Sequence, residues 1–293
     1  MILSALRRRL GEFYLGKYRN NISEQPLNAE VHYNFACNAH KYGFNNLANA
    51  ELKNAEYLGF CSDKVASLRK KITDSLTDLA ELDVNQYQRF KILQAHLSNL
   101  LNAGDSMLDI GGGHGILTQF VPENRYFLVE PSVNGVSGLK LPFPDSSFDA
   151  VVTCHVLEHI PVEQRNTFID ELVRVSKRYV LIFNPFKDNK LDEMERLKLI
   201  LDITGAPWAK EHMDCGLPVI DDVTTYLSTK GLSHNIKGYG DVYASVATVL
   251  MTHFSSKSKR KDIVKINQHL NKQYDQLTCS KYPTNIMVEI RVD

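Results

Sequence analysis

From residue 84 onward, short apolar runs alternate with longer stretches in which apolar residues recur every three or four positions. The short runs are typical of buried strands, and the longer stretches are typical of amphipathic helices. The predicted strands lie at 106–110, 126–130, 138–141, 149–154, 179–183, 232–238 and 285–292. The predicted helices lie at 85–102, 115–120, 163–177 and 220–230, with a helical insert over 241–275. This alternation predicts an α/β fold whose mainly parallel sheet binds ligands at the carboxyl ends of its strands.

The chain before residue 83 has a helical pattern. Small residues at spacings that let two helices pack closely occur over 29–60, a stretch that resembles one tetratricopeptide-type hairpin. His32 and Phe60 stand where such a hairpin has its tryptophan and its proline. One hairpin cannot bury its own apolar face, so we expect it to pack on neighbouring helices or on the α/β domain. We therefore predict an N-terminal α-helical module over 1–82 and an α/β domain over 83–293.

Composition and charge argue against several classes of protein. Lys+Arg and Asp+Glu each number 34, and a chain with no net charge lacks the basic domain typical of nucleic-acid binding. The five cysteines include no C-x-x-C pair, so we expect no metal site and no disulfide framework, but reduced thiols in a cytoplasmic protein. No apolar run approaches the roughly 20 residues of a membrane span. Two partners stay open: a membrane surface for the basic helix predicted at 3–20, which carries Arg7, Arg8 and Arg9, and a protein for the helical module.

A glycine-rich turn follows the first predicted strand. Met107–Leu117 contains Asp109 and then the glycines Gly111, Gly112, Gly113 and Gly115, in the order D-x-G-x-G-x-G. Glycines at this density let the backbone approach a ligand closely. Ile116 departs from the dinucleotide-binding pattern, and no Gly-Lys-Ser/Thr follows to form a phosphate loop. The string resembles motif I of class I S-adenosylmethionine-dependent methyltransferases.

Two later strings extend the resemblance. The second predicted strand ends in Glu130, where a carboxylate can accept hydrogen bonds from a ribose diol. Residues 141–149, Leu-Pro-Phe-Pro-Asp-Ser-Ser-Phe-Asp, precede a strand and then Leu157-Glu158-His159. This combination is similar to the methyltransferase branch that acts mostly on small molecules and contains the ubiquinone- and menaquinone-type enzymes. The resemblance implies a seven-stranded, mostly parallel Rossmann-like sheet in the order 3-2-1-4-5-7-6, with strand 7 antiparallel.

The resemblance also implies a cofactor, S-adenosylmethionine, with S-adenosylhomocysteine as product. Asp109 and the glycines would form the floor under its methionine part, and Glu130 would hold its ribose. The other candidate contacts are Pro131, Leu141, Cys154 and His155. The family acid that meets the adenine amine has no counterpart in 131–140, so Leu139, Leu141 or Asp145 would have to serve there.

Methyl transfer requires mainly that the protein position the acceptor next to the methyl group, because the sulfonium already makes this methyl group electrophilic. A hydroxyl acceptor would also need a base. The candidates are His155 at the mouth of a strand and His212 in a lid-like insert, with Glu158 and His159 as further possibilities. Cys154 lacks the preceding proline of cytosine-5 methyltransferases, and the Asp/Asn-Pro-Pro-aromatic motif of amino-methylating DNA enzymes is missing after this strand.

The sequence therefore predicts an enzyme that transfers a methyl group from S-adenosylmethionine to a small-molecule or glycan-type acceptor. One alternative is of a different class: a methyltransferase fold with weak or no activity that serves as an interaction module through its N-terminal helices.

Overall fold

The computed structural model of the protein describes residues 15–187, 193–255, 259–274 and 281–292. The predicted basic side chains of Arg7, Arg8 and Arg9 lie outside the described residues, as does Cys279. No helix in the described ranges combines the length and apolar character needed to cross a membrane.

The sheet confirms the predicted α/β architecture. Its strands are β1 (Ser106–Ile110), β2 (Arg125–Val129), β3 (Phe148–Cys154), β4 (Ser176–Asn184), β5 (Ser233–Tyr239) and β6 (Asn285–Arg291). Their order is β2-β1-β3-β4-β6-β5, and β6 is antiparallel to both of its neighbours while the other pairs are parallel. All five residues of β1 are buried, which is expected of a parallel strand covered on both faces.

Helices surround this sheet. The N-terminal ones are α1 (15–24), α2 (Ala29–Tyr42), α3 (Asn45–Tyr57), α4 (Asp63–Thr73) and α5 (Val84–Leu100). Along the sheet follow α6 (Pro131–Asn134), α7 (Arg165–Val175), α8 (Glu193–Thr204), α9 (Pro207–Cys215), α10 (Ile220–Thr229), α11 (Val242–Phe254) and α12 (Arg260–Gln273). The helix predicted at 115–120 is only a single 3₁₀ turn, Ile116–Gln119.

The seventh strand, expected near 138–141, is the main correction to the predicted fold. Among the described residues the sheet has six strands, and 138–141 form a turn and irregular backbone. A Cβ on Gly138 would lie 2.8 Å from side-chain carbons of Ile110 and Phe168, so the backbone runs close against the core here. Residues 138–141 therefore pack against the core and do not pair with β2.

Helix α3 covers the edge of β2 that a third strand would occupy. The Asn54 side chain accepts a hydrogen bond from the Leu128 N–H (2.7 Å) and donates one to the Leu128 carbonyl (3.2 Å). One side-chain amide thus supplies the donor and the acceptor that a strand residue would have supplied. Asn134 also donates to the Leu128 carbonyl (2.8 Å). The outward-facing N–H and carbonyl of Leu128 are therefore satisfied without a strand, as buried backbone groups require.

A buried polar network fixes α3 in this position. His32 Nδ1 on α2 lies 2.6 Å from Glu51 Oε2 on α3, and both side chains are fully buried. The Glu51 carboxylate, despite the opposing effect of burial, raises the pKa of His32. Asn134 donates to the other Glu51 oxygen (3.2 Å). The helices and the sheet share one hydrophobic core that includes Phe35 and Phe127, so the division at residue 83 stays a prediction for truncation to test.

Candidate functional site

The glycine-rich loop connects the carboxyl end of β1 to the 3₁₀ turn. Gly113 has a φ of +55°, and a Cβ placed on it would have no atom within 4 Å. By contrast, Gly115 has a φ of +72°, and its Cβ would overlap Ala50 on α3. Gly115 is therefore needed for the packing of the helix on the loop. Gly113 is the position where the backbone borders open space and a ligand can approach it closely.

Asp109 supports this loop from below. Its carboxylate is buried, accepts a hydrogen bond from the Tyr126 hydroxyl (2.5 Å), and lies where a Cβ on Gly112 would be. Burial raises the pKa of Asp109 to about 7. A Cβ on Gly111 would in turn overlap the side chain of Val156, which follows β3. The sequence predicted Asp109 as the floor of the site, and in the structure it is a buried brace of the loop.

Glu130 follows β2 and faces the loop, as its position in the sequence predicts. Its Oε2 accepts the N–H of Gly113 (3.1 Å), and its Oε1 accepts the N–H (2.9 Å) and the hydroxyl (2.7 Å) of Ser132. Glu130 thereby caps α6, which begins with the exposed Pro131. The structure brings the carboxylate and the open glycine within hydrogen-bonding distance, and Oε2, with one donor, can accept a further hydrogen bond.

Leu141 does not lie with the glycine loop and Glu130. Its N–H donates to Glu171 (2.9 Å) and its carbonyl accepts from Arg174 (3.2 Å), both in the second half of α7. Asp145 pairs with Arg174 (2.9 Å) shortly before β3 begins, at the edge of the sheet opposite the glycine loop. We therefore withdraw both as adenine contacts, because α7 holds them at the amino ends of the strands.

Cys154 and His155 end β3 beside the loop. Burial raises the pKa of the Cys154 thiol to about 12, which leaves it a poor nucleophile, as the sequence predicted. His155 has a φ of +58°, rare for a residue with a side chain, and its N–H donates to the Phe183 carbonyl (2.9 Å). Burial and the nearby charge of Arg89 lower the pKa of His155, so its imidazole is neutral at physiological pH.

A cluster of histidines surrounds Glu158, whose side chain is fully buried. His155 Nδ1 lies 3.2 Å and His212 Nε2 lies 3.7 Å from Glu158 Oε1. His159 packs its ring against that of His212, with centroids 4.8 Å apart, and places Nδ1 3.1 Å from Glu211 Oε2. Burial lowers the pKa of His212 to about 4. The two predicted histidines thus meet at one carboxylate, although 57 residues separate them in the chain (212 − 155).

A cavity of about 560 Å³ opens beside this cluster. Its wall includes His155, His159, His212 and Trp208, together with Arg89 from α5 and Arg196 from α8. Within the described ranges no carboxylate forms an ion pair with Arg89, whose Nε donates to the carbonyl of Asn85 (3.3 Å). Arg89 could not be predicted as a site residue, because one arginine on an amphipathic helix looks like any solvated surface residue. Trp208 and His212 lie in the predicted lid, their rings 5.4 Å apart.

The fold and the site together describe a Rossmann-like α/β protein with a glycine loop and a carboxylate at the carboxyl edge of its sheet. Residues 129–183 match the family model of a methyltransferase domain. The match includes Glu130 and the Leu157-Glu158-His159 string, and it begins after the loop at 111–115, which it does not cover. The predicted resemblance to methyltransferases is confirmed over this part of the chain. No curated protein matches the chain.

The chain is also similar to solved structures of low identity. The YcgJ protein from Bacillus subtilis is 18% identical, with a TM-score of 0.45, over 71% of this chain and 98% of that one. A putative sarcosine dimethylglycine methyltransferase from Galdieria sulphuraria is 16% identical, with a TM-score of 0.46, over 80% of this chain and 92% of that one. An S-adenosylmethionine-dependent methyltransferase from Archaeoglobus fulgidus is 13% identical, with a TM-score of 0.42, over 69% of this chain and 94% of that one.

Proposed function

We propose that the protein transfers the methyl group of S-adenosylmethionine to a hydroxyl of a small-molecule or glycan-type acceptor. The observation that carries the proposal is the open backbone at Gly113, which lies within hydrogen-bonding distance of Glu130. A turn without a Cβ and an adjacent carboxylate suit the methionine and ribose parts of this cofactor. The cofactor would supply an electrophilic methyl group.

The residues of the chain then have separate tasks. Gly111, Gly112, Gly113 and Gly115 shape the loop that lies against the methionine part, and Asp109 braces it. Glu130 accepts the ribose hydroxyls, and the adjacent Pro131 borders them. Cys154 and His155 face the sulfonium, where β3 ends between the loop and the cavity.

The cavity beside His155 holds the acceptor. Its histidines and two arginines favour an acceptor with hydroxyl or anionic groups over a purely apolar one. Closure of the cavity by the lid residue Trp208 would exclude water and orient the acceptor for in-line attack.

His155 is the base that the geometry favours. Its Nδ1 faces Glu158 (3.2 Å), and its Nε2 is buried without a hydrogen-bond partner. With the proton on Nδ1, oriented toward the carboxylate, Nε2 carries a free lone pair that can accept the hydroxyl proton. His212 is the second predicted candidate, and the low pKa of about 4 makes it the weaker base.

Calorimetric titration with S-adenosylhomocysteine tests the proposal. Glu130→Ala should weaken binding by roughly 1.5–3 kcal/mol, the scale of lost hydrogen bonds to a charged group, which is about 10- to 150-fold. Gly113→Val should abolish binding, because its side chain would fill the open space and strain the positive φ. Glu123→Ala, an exposed carboxylate before β2, is the matched control and should bind like the wild type.

Near-ultraviolet circular dichroism should show that each variant keeps the wild-type fold. Unchanged affinity in folded Glu130→Ala would remove this residue from the site. Wild-type affinity in folded Gly113→Val would place the cofactor elsewhere. A wild-type protein that does not bind S-adenosylhomocysteine would refute the proposal and favour the interaction module.

A further inference from the structure

The side chains of Glu158, His159 and His212 form a group with the composition of a metal site. One potential ligand atom from each lies within 4.8 Å of the others. Bonds of about 2.0–2.2 Å to a tetrahedral zinc ion place ligand atoms roughly 3.3–3.6 Å apart. The separation of 3.7 Å between His212 Nε2 and Glu158 Oε1 is already close to that range, and small side-chain rotations would bring His159 in.

Two buried polar atoms lie at this place without a well-formed hydrogen bond, Glu158 Oε1 and His155 Nε2. His155 Nδ1 lies 3.2 Å from Glu158 Oε1, and this carboxylate oxygen has capacity for a further partner. An unsatisfied buried carboxylate oxygen costs free energy unless a cation or a donor meets it. A ligand bound at Glu158 Oε1 would satisfy this oxygen.

The surroundings resemble the outer shell of a metal centre. Glu211 lies at Nδ1 of His159 (3.1 Å), which orients the ring and leaves Nε2 as its free nitrogen. Asn184 donates to the other oxygen of Glu158 and so fixes the direction of the carboxylate. Such carboxylate–histidine and amide–carboxylate pairs hold metal ligands in place in metalloproteins.

We propose that Glu158, His159 and His212 bind one first-row divalent cation, for which Zn²⁺ is the best fit. Two imidazoles and one carboxylate favour zinc over magnesium or calcium, which prefer oxygen ligands. His159 and His212 line the cavity, so the remaining coordination position faces the acceptor. If the proposed methyl transfer is right, an acceptor hydroxyl bound there has a lowered pKa and loses its proton to His155 more easily.

The test uses the full-length protein after removal of metals with a chelator, titrated with Zn²⁺ in a calorimeter. We expect one tight site per chain in the wild type. Glu158→Gln and His212→Gln should each weaken Zn²⁺ binding by about 100-fold or more, whereas Glu211→Gln, an outer-shell change, should cost roughly 10- to 100-fold. His253→Gln, an exposed histidine on α11, is the matched control and should leave the affinity unchanged.

Co²⁺ substitution separates this site from adventitious thiol binding. A cobalt spectrum without a thiolate charge-transfer band is expected for nitrogen and oxygen ligands, and such a band would assign the ion to cysteine and overturn the proposal. Absence of tight Zn²⁺ binding, or binding that folded His212→Gln retains, would also overturn it. S-adenosylhomocysteine binding is measured in parallel on the wild-type protein. A wild-type protein that binds Zn²⁺ but not S-adenosylhomocysteine would refute the methyltransferase proposal and leave the metal site standing.

Discussion

Replacement of Asn54 by alanine tests the role of helix α3 at the edge of β2. The Leu128 N–H has Asn54 as its side-chain partner in this position (2.7 Å), so the substitution leaves a buried donor unsatisfied. The Leu128 carbonyl keeps its bond from Asn134 (2.8 Å). The Leu128 N–H is therefore orphaned, and two acceptors, the Leu128 carbonyl and Glu51 Oε2, each lose one of two hydrogen-bonding partners.

The magnitude follows from these contacts. An unsatisfied buried N–H costs about 1–3 kcal/mol. The space left by the fully buried carboxamide adds on the order of 1 kcal/mol. We expect Asn54→Ala to lower the free energy of unfolding by about 2–4 kcal/mol. Asn54→Leu fills the space but supplies no hydrogen bond, so it should retain a loss of about 1–3 kcal/mol.

Urea unfolding of the full-length protein, followed by circular dichroism and fluorescence, measures these differences. Asn20→Ala, at an exposed position on α1, is the control and should stay within about 0.5 kcal/mol of the wild type. Wild-type stability of Asn54→Leu would refute the reasoning, because it would mean that the edge of β2 does not need the amide. Equal losses in the Asn54 and Asn20 variants would point to a nonspecific effect of substitution in the helices.

Two further predictions concern Asp109 and the helical module. Because burial raises the pKa of Asp109 to about 7, its contribution to stability is fully present below its unfolded pKa of about 4 and is lost as the pH rises through 7. Asp109→Asn should therefore flatten the decline of unfolding free energy between pH 4 and 7 by a few kcal/mol at most, and parallel curves for the two proteins would contradict this. A chain that begins at residue 83 should keep S-adenosylhomocysteine affinity but self-associate in light scattering through the uncovered edge of β2; failure to fold would show that the helices and sheet form one domain.

Much of the fold could be predicted because each strand carries its own signal. The strands predicted at 106–110 and 285–292 lie at 106–110 and 285–291 in the structure. The strand expected at 138–141 was wrong because its alternating Leu139-Lys140-Leu141 looks like a strand locally. In the structure the side chain of Asn54 pairs with the edge of β2 where this strand was expected. A local sequence pattern cannot show that a residue from a distant part of the chain takes that place.

In the candidate site, too, some contacts could be predicted from the sequence and others depend on distant parts of the chain. Gly113 and Glu130 follow consecutive strands of a parallel sheet, so topology alone predicts that they lie close together. The meeting of His155 and His212 at Glu158 depends on how the lid helices α8 and α9 fold back, which no periodicity determines. Leu141 was proposed because the adenine acid is missing from 131–140. Its backbone bonds to Glu171 and Arg174 could not be predicted locally, because these partners are 30 and 33 residues away in the chain.

The amide contact at the β2 edge also bears on the order in which the protein folds. A sheet edge closed by the next βαβ unit needs a crossover of only a dozen or more residues. Here Asn54 and Leu128 are 74 residues apart, so the edge closes only after a long loop has formed. Contacts of large sequence separation slow folding, because the entropy of loop closure must be overcome before they form. We therefore expect β1 and β2, whose paired residues are 19 positions apart, to pair early, and the docking of α3 on β2 to be a late step.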